Sequence, residues 1–376
     1  MIKYIIYIQI LFLGFLSCKT PYEPEIKNKD ANYLVVDGFI INNGYPTVIK
    51  LSRTTGLKEV ALAPELGAQL SIEAENGNTY NLFDLGNGSY TTASSLNINN
   101  QQVRLKIITR NNTVYLSDFV ESKTTPVIDS ITWERVDLGV NVNINAHDDT
   151  GNSKYYFWNY DETWEFTSKY KSYFEYIEGE IVPRMEDIYT CWKTQYSTQI
   201  LLGSSVKNTR DVIIDNKLIL IPNRSEKLGL KYSINVRQYV LTRPAYEYWE
   251  NIKKNNENIG GIFDSQPSYM QGNIYNVADK DEPVIGFVSV TGLQEKRIFI
   301  DGYKIDAWRM FEPAYAGCKI DSVELDEIHA MFSLNMNLPI EPVLGENQVI
   351  LGYLGTSRIC TDCTMRGTNI KPSFWQ

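Results

Sequence analysis

The stretch YYFWNYDETWEFTSKYKSYFEY, residues 155–176, is aromatic at eleven of twenty-two positions, in a chain that is 12% aromatic overall. Rings at that density either stack on a ligand or fill a β core. Beside them stand Glu162, Glu165, Glu175, Glu178 and Glu180. Two carboxylates about 5–10 Å apart are all that a glycosidase needs, although solvated side chains are the ordinary state of such residues. Other chemistry is sparse. The two histidines, His147 in NAHDDTGN and His329 in LDEIHAMFSL, have no G-x-S-x-G elbow to serve. Asp148, Asp149 and Asn152 lack the Gly and Glu spacing of an EF-hand and read as a β-turn. Cys360-x2-Cys363, with Cys191 and Cys318, allows a zinc site with four thiolate ligands or two disulfides in any of three pairings. A thioredoxin-like CxxC would need a βαβ context, which is absent. No catalytic, metal or cofactor-binding residue is assigned.

The elements that must position these residues read as β almost throughout. YLVVDGFIINNGYPTVIKLSRT (33–54) turns at Asn43-Gly44, AQLSIEAENGNTYNLFDL (68–85) at Asn76-Gly77, and QVRLKIITRNNTVYLSDFV (102–120) at Asn111-Asn112. Asn-Gly between alternating strands is a strong hairpin signal, because a type I′ turn needs φ > 0 at both central positions. These strands predict a sandwich over 33–122, with ESKTTPV (121–127) as boundary and hinge. A second β-sandwich is expected over 126–310, and a C-terminal extension packed on it over 311–376.

In that second unit Val140, Val142 and Ile144 share a face, and a strand over 154–160 would put Tyr156, Trp158 and Tyr160 on one side and Tyr155 and Phe157 on the other. Rings exposed on both faces would invite aggregation, so at least one set must be core. Asp161-Glu162 reads as a turn into a return strand carrying Trp164 and Phe166. Residues 167–182 read as a long excursion, and long loops in compact domains are often functional. The candidate ligand or partner contacts are therefore Tyr160, Trp164, Tyr170, Tyr173, Phe174 and Tyr176. Farther on, Ala245, Trp249 and Ile252 fall at i, i+4 and i+7 behind Thr242 and Pro244, predicting a helix near 243–257 that ends at Asn258, Gly260 and Gly261. EPVIGFVSVTGLQEKRIFID (282–301) predicts two strands around Gly292.

The N-terminus speaks of location. MIKYIIYIQILFLGFLSC has one Lys, an apolar run from Ile5 to Leu16, then Ser17 and Cys18. That is the layout of a signal peptide over 1–17, shorter than the roughly 20 apolar residues a spanning helix needs. A Cys directly after the small residue resembles a bacterial lipobox, which makes Cys18 the lipid anchor. Residues 18–32 form a tether, reaching on the order of 20 Å if flexible. Cleavage removes Lys3 and takes the formal charge from −9 to −10. An acidic chain without a basic block is a poor nucleic-acid binder. The four remaining cysteines, in an oxidising compartment, read as disulfides.

LVVDGFIINNGYPTVIKLSRT, YYFWNYDETWEF, YSINVRQYVLTRPAYEYWENIKKNNENIGGIFDSQPSYMQGNIYN, EPVIGFVSVTGLQEKRIFI and CTDCTMRGTNIKPSFW together resemble a domain-of-unknown-function family of Bacteroidota envelope lipoproteins. Its members are commonly encoded beside TonB-dependent outer-membrane receptors. Arg366 stands where that family more often has Gly. The resemblance implies a mainly β protein: an Ig-like or carboxypeptidase-regulatory-like sandwich, then a fibronectin-III-like domain with an inserted helix and a disulfide-stapled tail. It lends no catalytic residues. The expected role is a non-catalytic accessory or binding lipoprotein of the outer membrane, on its surface or periplasmic face, partnered with a TonB-dependent receptor. An adhesive envelope module and a glycan-active hydrolase are the alternatives.

Overall fold

The computed structural model describes residues 32–55, 62–98, 101–257 and 271–376. The expected signal peptide, Cys18, the expected tether up to residue 31 and the expected helix stop at Asn258, Gly260 and Gly261 lie outside the described residues. The protein is mainly β. Its first unit is a single 12-stranded sheet with one core of Leu34, Ile49, Ile72, Tyr90, Leu105 and Tyr115 among others. Two of the three expected turns form tight hairpins: Gly77 and Asn112 take φ of +91° and +64°, and they set the registers Ile72↔Tyr80 and Ile107↔Tyr115.

The stretch around Asn43-Gly44 differs from a simple hairpin. Leu34–Asp37 pairs with Val48–Arg53, but Ile40–Ile41 leaves that pair and runs parallel to Val290–Thr291. The break falls at Gly38, φ +132°, where a Cβ would strike the Val48 carbonyl oxygen. Val290–Thr291 also pairs with Ser122 and Lys123, while Ile274–Asn276 pairs with Tyr115–Ser117. Ile274, Val284, Val288 and Val290 belong to the first core. The expected second unit, 126–310, must therefore give up 274–291. Alternation shows that a segment is a strand but not which sheet it joins, and chain order misled there.

The second unit packs a three-stranded sheet (Ile128–Val136, Gly139–His147, Val212–Pro222) on a five-stranded one. The latter contains Thr190–Tyr196, Leu201–Ser204, Tyr155–Thr167, Lys231–Val240 and Gln294–Asp301. Tyr155–Thr167 is one unbroken strand of 13 residues, so the expected turn at Asp161-Glu162 is absent. Both carboxylates are buried within the strand and paired. Asp161 binds Arg237 and, at 3.0 Å, Arg297; Glu162 binds Lys227 and, at 2.8 Å, the Tyr232 hydroxyl. Acidic residues favour turns when solvated; here cations on neighbouring elements hold them in the sheet.

Strand parity then disposes of the rings. Tyr156, Trp158, Tyr160, Trp164 and Phe166 face the opposing sheet with Val140, Val142 and Ile144. Tyr155 and Phe157 face the other way, under helix Arg243–Glu257, with Phe157 5.3 Å from Trp249 and Tyr155 4.9 Å from Tyr246. Thr242 caps that helix, its hydroxyl accepting from the Ala245 amide at 3.4 Å.

The residues expected to hinge are locked. The Thr125 hydroxyl donates to the Gly292 carbonyl at 2.7 Å and lies 3.0 Å from the Thr291 hydroxyl. The Val240 amide reaches both hydroxyl oxygens at 3.1 Å. Gln238 donates to the Pro126 carbonyl and accepts from the Trp158 indole, at 2.8 and 2.9 Å. Thr125, Thr291 and Gln238 are buried. Replacing Thr125 by Val keeps the volume but strips these partners, and should cost about 1–3 kcal/mol. Urea unfolding of the purified protein measures this, with a shift in midpoint expected.

Candidate functional site

The excursion between Tyr155–Thr167 and Thr190–Tyr196 is stitched to the C-terminal extension. The Tyr170 amide donates to the Cys360 carbonyl and the Tyr173 amide to that of Ile340, each at 3.0 Å; the Ser172 hydroxyl donates to the Pro339 carbonyl at 2.7 Å. Phe174–Ile177 and Glu180–Pro183 form a hairpin, turned at Glu178 and Gly179 with φ of +50° and +99°. The extension supplies the three-stranded sheet Asp321–Glu324, Ile350–Ser357, Asn337–Leu344. Phe174 meets Tyr353 edge-on at 5.7 Å, and the Tyr176 hydroxyl is 2.7 Å from His329 Nδ1.

The six sequence candidates therefore part company. Tyr160 and Trp164, 5% and 4% exposed, are core residues and present no surface to a ligand. Phe174 and Tyr176 are half-buried against the C-terminal sheet. Tyr170 and Tyr173 reach solvent. Tyr173 is 52% exposed with Lys171 Nζ 5.3 Å from its ring centre. Tyr170 lines an open groove of about 600 Å³.

That groove has two walls. Lys169, Tyr170 and Tyr189 come from the excursion; Phe311, Glu312 and Tyr315 come from a strap that follows strand Gln294–Asp301. Tyr315 ties the walls together, donating to the Thr167 carbonyl at 3.0 Å. Cys318, bonded to Cys360, anchors the strap's end; Cys191–Cys363 ties the tail into the core of the second unit. These are the two expected disulfides, and they leave none of the four thiols for the zinc alternative. Sequence reasoning missed the strap residues. WRMFEPAY (308–315) is ring-rich, but it shows no period that would assign it to an element.

Beneath the groove lies a charged knot. Arg366 forks onto Glu226 with two bonds of 2.8 Å, binds Glu312 at 2.7 Å, and sits 5.0 and 4.9 Å from the rings of Phe166 and Tyr315. Glu226 also accepts from the Trp164 indole at 3.2 Å. Glu312, the groove's carboxylate, is thereby held by a guanidinium that it shares with Glu226. Of the other carboxylates, Glu162 is committed to Lys227 and Tyr232, Glu165 accepts from the Trp375 indole at 3.3 Å, and Glu175 pairs with Arg184 at 3.4 Å. His147 lies 2.8 Å from both Asp129 oxygens, and Asp148 closes its turn by accepting the Thr150 amide at 2.9 Å. Among the described residues no group of three or more His, Cys, Asp or Glu is arranged to hold a metal. The groove offers rings and one ammonium beside that shared carboxylate.

These observations define a β-rich, disulfide-stapled protein with an open groove lined by rings. The chain belongs to the family described as domain of unknown function DUF4249, matched over residues 19–297; the strap and the C-terminal sheet lie beyond the matched residues. No curated protein matches it. Among solved structures it shows a likeness to a mutant Salmonella alpha-2-macroglobulin, with a TM-score of 0.19, 8% identity, and coverage of 89% of this chain and 17% of that one. It shows another to a cycloalternan-degrading enzyme from Trueperella pyogenes, with a TM-score of 0.16, 10% identity, and coverage of 70% and 31%. The chain spans less than a third of either, and likenesses this faint say nothing about function.

Two outcomes are expected here. Arg366→Ala strands Glu226 in the interior and should cost about 3–5 kcal/mol, whereas Arg366→Met combined with Glu226→Gln should recover most of that loss; chemical denaturation of the three proteins decides. Burial, then the Glu162 carboxylate, pushes the Tyr160 phenol up to about 12 from 10.0, and burial pushes Tyr239 equally far. A raised folded value means that their contribution is complete below pH 10 and is lost as pH rises toward 12. Phenolate absorbance should thus show a fraction of the 25 tyrosines ionising only together with unfolding.

Proposed function

We propose that this chain is an outer-membrane lipoprotein held by acylated Cys18, serving as a non-catalytic accessory or binding component of a TonB-dependent receptor in nutrient uptake. The observation that carries the binding role is the groove between the excursion and the strap. Its rings stand on a frame fixed by two disulfides, and its carboxylate is tied to Arg366. Ring-rich, pre-organised surfaces favour recognition, since little side-chain entropy is lost when a partner arrives. The lipobox-like N-terminus supports the location, and the family resemblance supports a Bacteroidota envelope and the receptor. One acyl chain binds a bilayer only marginally, so a triacylated Cys18 would hold the body firmly.

The test is a mild-detergent pull-down of the lipidated protein from its own cells, read by mass spectrometry. One outer-membrane barrel should be recovered in near-stoichiometric yield, and Cys18→Ala should release the chain from the membrane fraction together with its palmitate label. Recovery of envelope material without any barrel would favour the adhesive module. Turnover of a glycan by the purified chain, lost on changing one Glu, would favour the hydrolase.

A further inference from the structure

Nearer the start of the same strap, sharing Met310 with the first groove, lies a second open groove of about 470 Å³. Its charged lining is Arg135, Arg224 and Arg309, and it has no carboxylate. Among the described residues none of the three makes an ion pair, although the chain is acidic, with a formal charge of −9. All three are exposed, so they leave an open depression of positive charge on an acidic chain.

The groove is also built. Arg135 Nη1 donates to the Gly139 carbonyl at 2.8 Å and to Asn223 Oδ1 at 2.6 Å, and its guanidinium lies 5.2 Å from the Trp308 ring centre. Trp308 is itself fixed, its indole donating to the Ser225 carbonyl at 3.1 Å. Arg224 lies 4.9 Å from the Phe311 ring centre. The backbone is strained at two points of this lining: Arg224 and Ala307 take φ of +67° and +52°. Left-handed non-glycine residues cost free energy, and such strain gathers at functional sites.

We propose that this groove binds an anionic saccharide, with carboxylate or phosphate oxygens forked by the three arginines. Guanidinium planes held by rings recognise such oxyanions through paired hydrogen bonds. The volume exceeds that of one oxyanion group, and Trp308 and Met310 offer apolar surface of the kind that a sugar's C–H faces take. The assignment rests on neither the lipid anchor nor the receptor, so its failure leaves the accessory role standing.

Calorimetry on the full chain in mild detergent tests it, with trigalacturonate as probe, maltotriose as neutral control and inorganic pyrophosphate as bare anion. Trigalacturonate should bind saturably and more weakly as salt rises; maltotriose should not bind. Arg309→Gln breaks no contact among the described residues, and it should weaken trigalacturonate roughly tenfold or more, as should Arg224→Gln. No saturable trigalacturonate binding, or binding unmoved by both variants, overturns the proposal. Pyrophosphate binding without trigalacturonate reduces the groove to a simple anion site and overturns the saccharide assignment.

Discussion

A 13-residue strand with rings on both faces must be covered on both faces, and most of the molecule can be traced to meeting that demand at Tyr155–Thr167. The inner face is met by the three-stranded sheet. At one end of the outer face the helix covers Tyr155 and Phe157, and the first unit adds Phe39, 5.3 Å from Phe157 and 4.4 Å from Tyr239. At the other end the C-terminus lies across the sheet. Trp375 packs near Phe299 and Trp192, Phe374 meets Arg297 at 3.7 Å, and the Trp375 indole reaches Glu165. Three separate parts of the chain converge on one strand because none of its apolar area can be left wet.

Covering alone would not fix which part goes where, and the buried charges supply that information. Asp161, Glu162 and Glu226 are each at most 8% exposed, and each meets a cation from elsewhere in sequence. Such pairs add little net stability, because desolvating both ions offsets most of the attraction. Shifting a strand by one residue would separate a buried carboxylate from its partner, which is costly. At Glu226 the constraint reaches furthest, since Arg366 lies 140 residues away along the chain and fixes the tail against the sandwich beside Cys191–Cys363.

What the sequence disclosed and what it hid divide along the range of the forces involved. Local rules served well. Turns at Gly77 and Asn112, the helix capped by Thr242, and the alternation at Val140, Val142 and Ile144 all rest on neighbours in sequence. Long-range choices did not show. Nothing near Val290 says that it pairs with Ile40 and Ser122, and nothing near Asp161 says that Arg237 and Arg297 will hold it inside a strand. The site suffered from the same blindness. Tyr160 and Trp164 carry the same kind of ring as Tyr170 and Tyr173, yet the first pair lies in the regular strand and the second in the excursion. The strap's Phe311 and Tyr315 matter only because disulfide Cys318–Cys360 brings them to the excursion.

The strap is common to both grooves, with Met310 lining each of them. Residues 302–320 link the last strand of the second sandwich, Gln294–Asp301, to the C-terminal sheet at Asp321–Glu324. Ile305 and the Trp308 indole fasten the near end, Tyr315 and Cys318 the far end. Between those anchors Met310 and Phe311 remain 44% and 49% exposed. The Phe311 amide on the Arg224 carbonyl at 2.9 Å and the Glu312 carboxylate on Arg366 hold that middle in place while its apolar side chains stay open to solvent, so little mobility is left to lose on binding. The strap thus takes its order from contacts of its own, as the two units take theirs from the polar seam at Thr125 and Thr291.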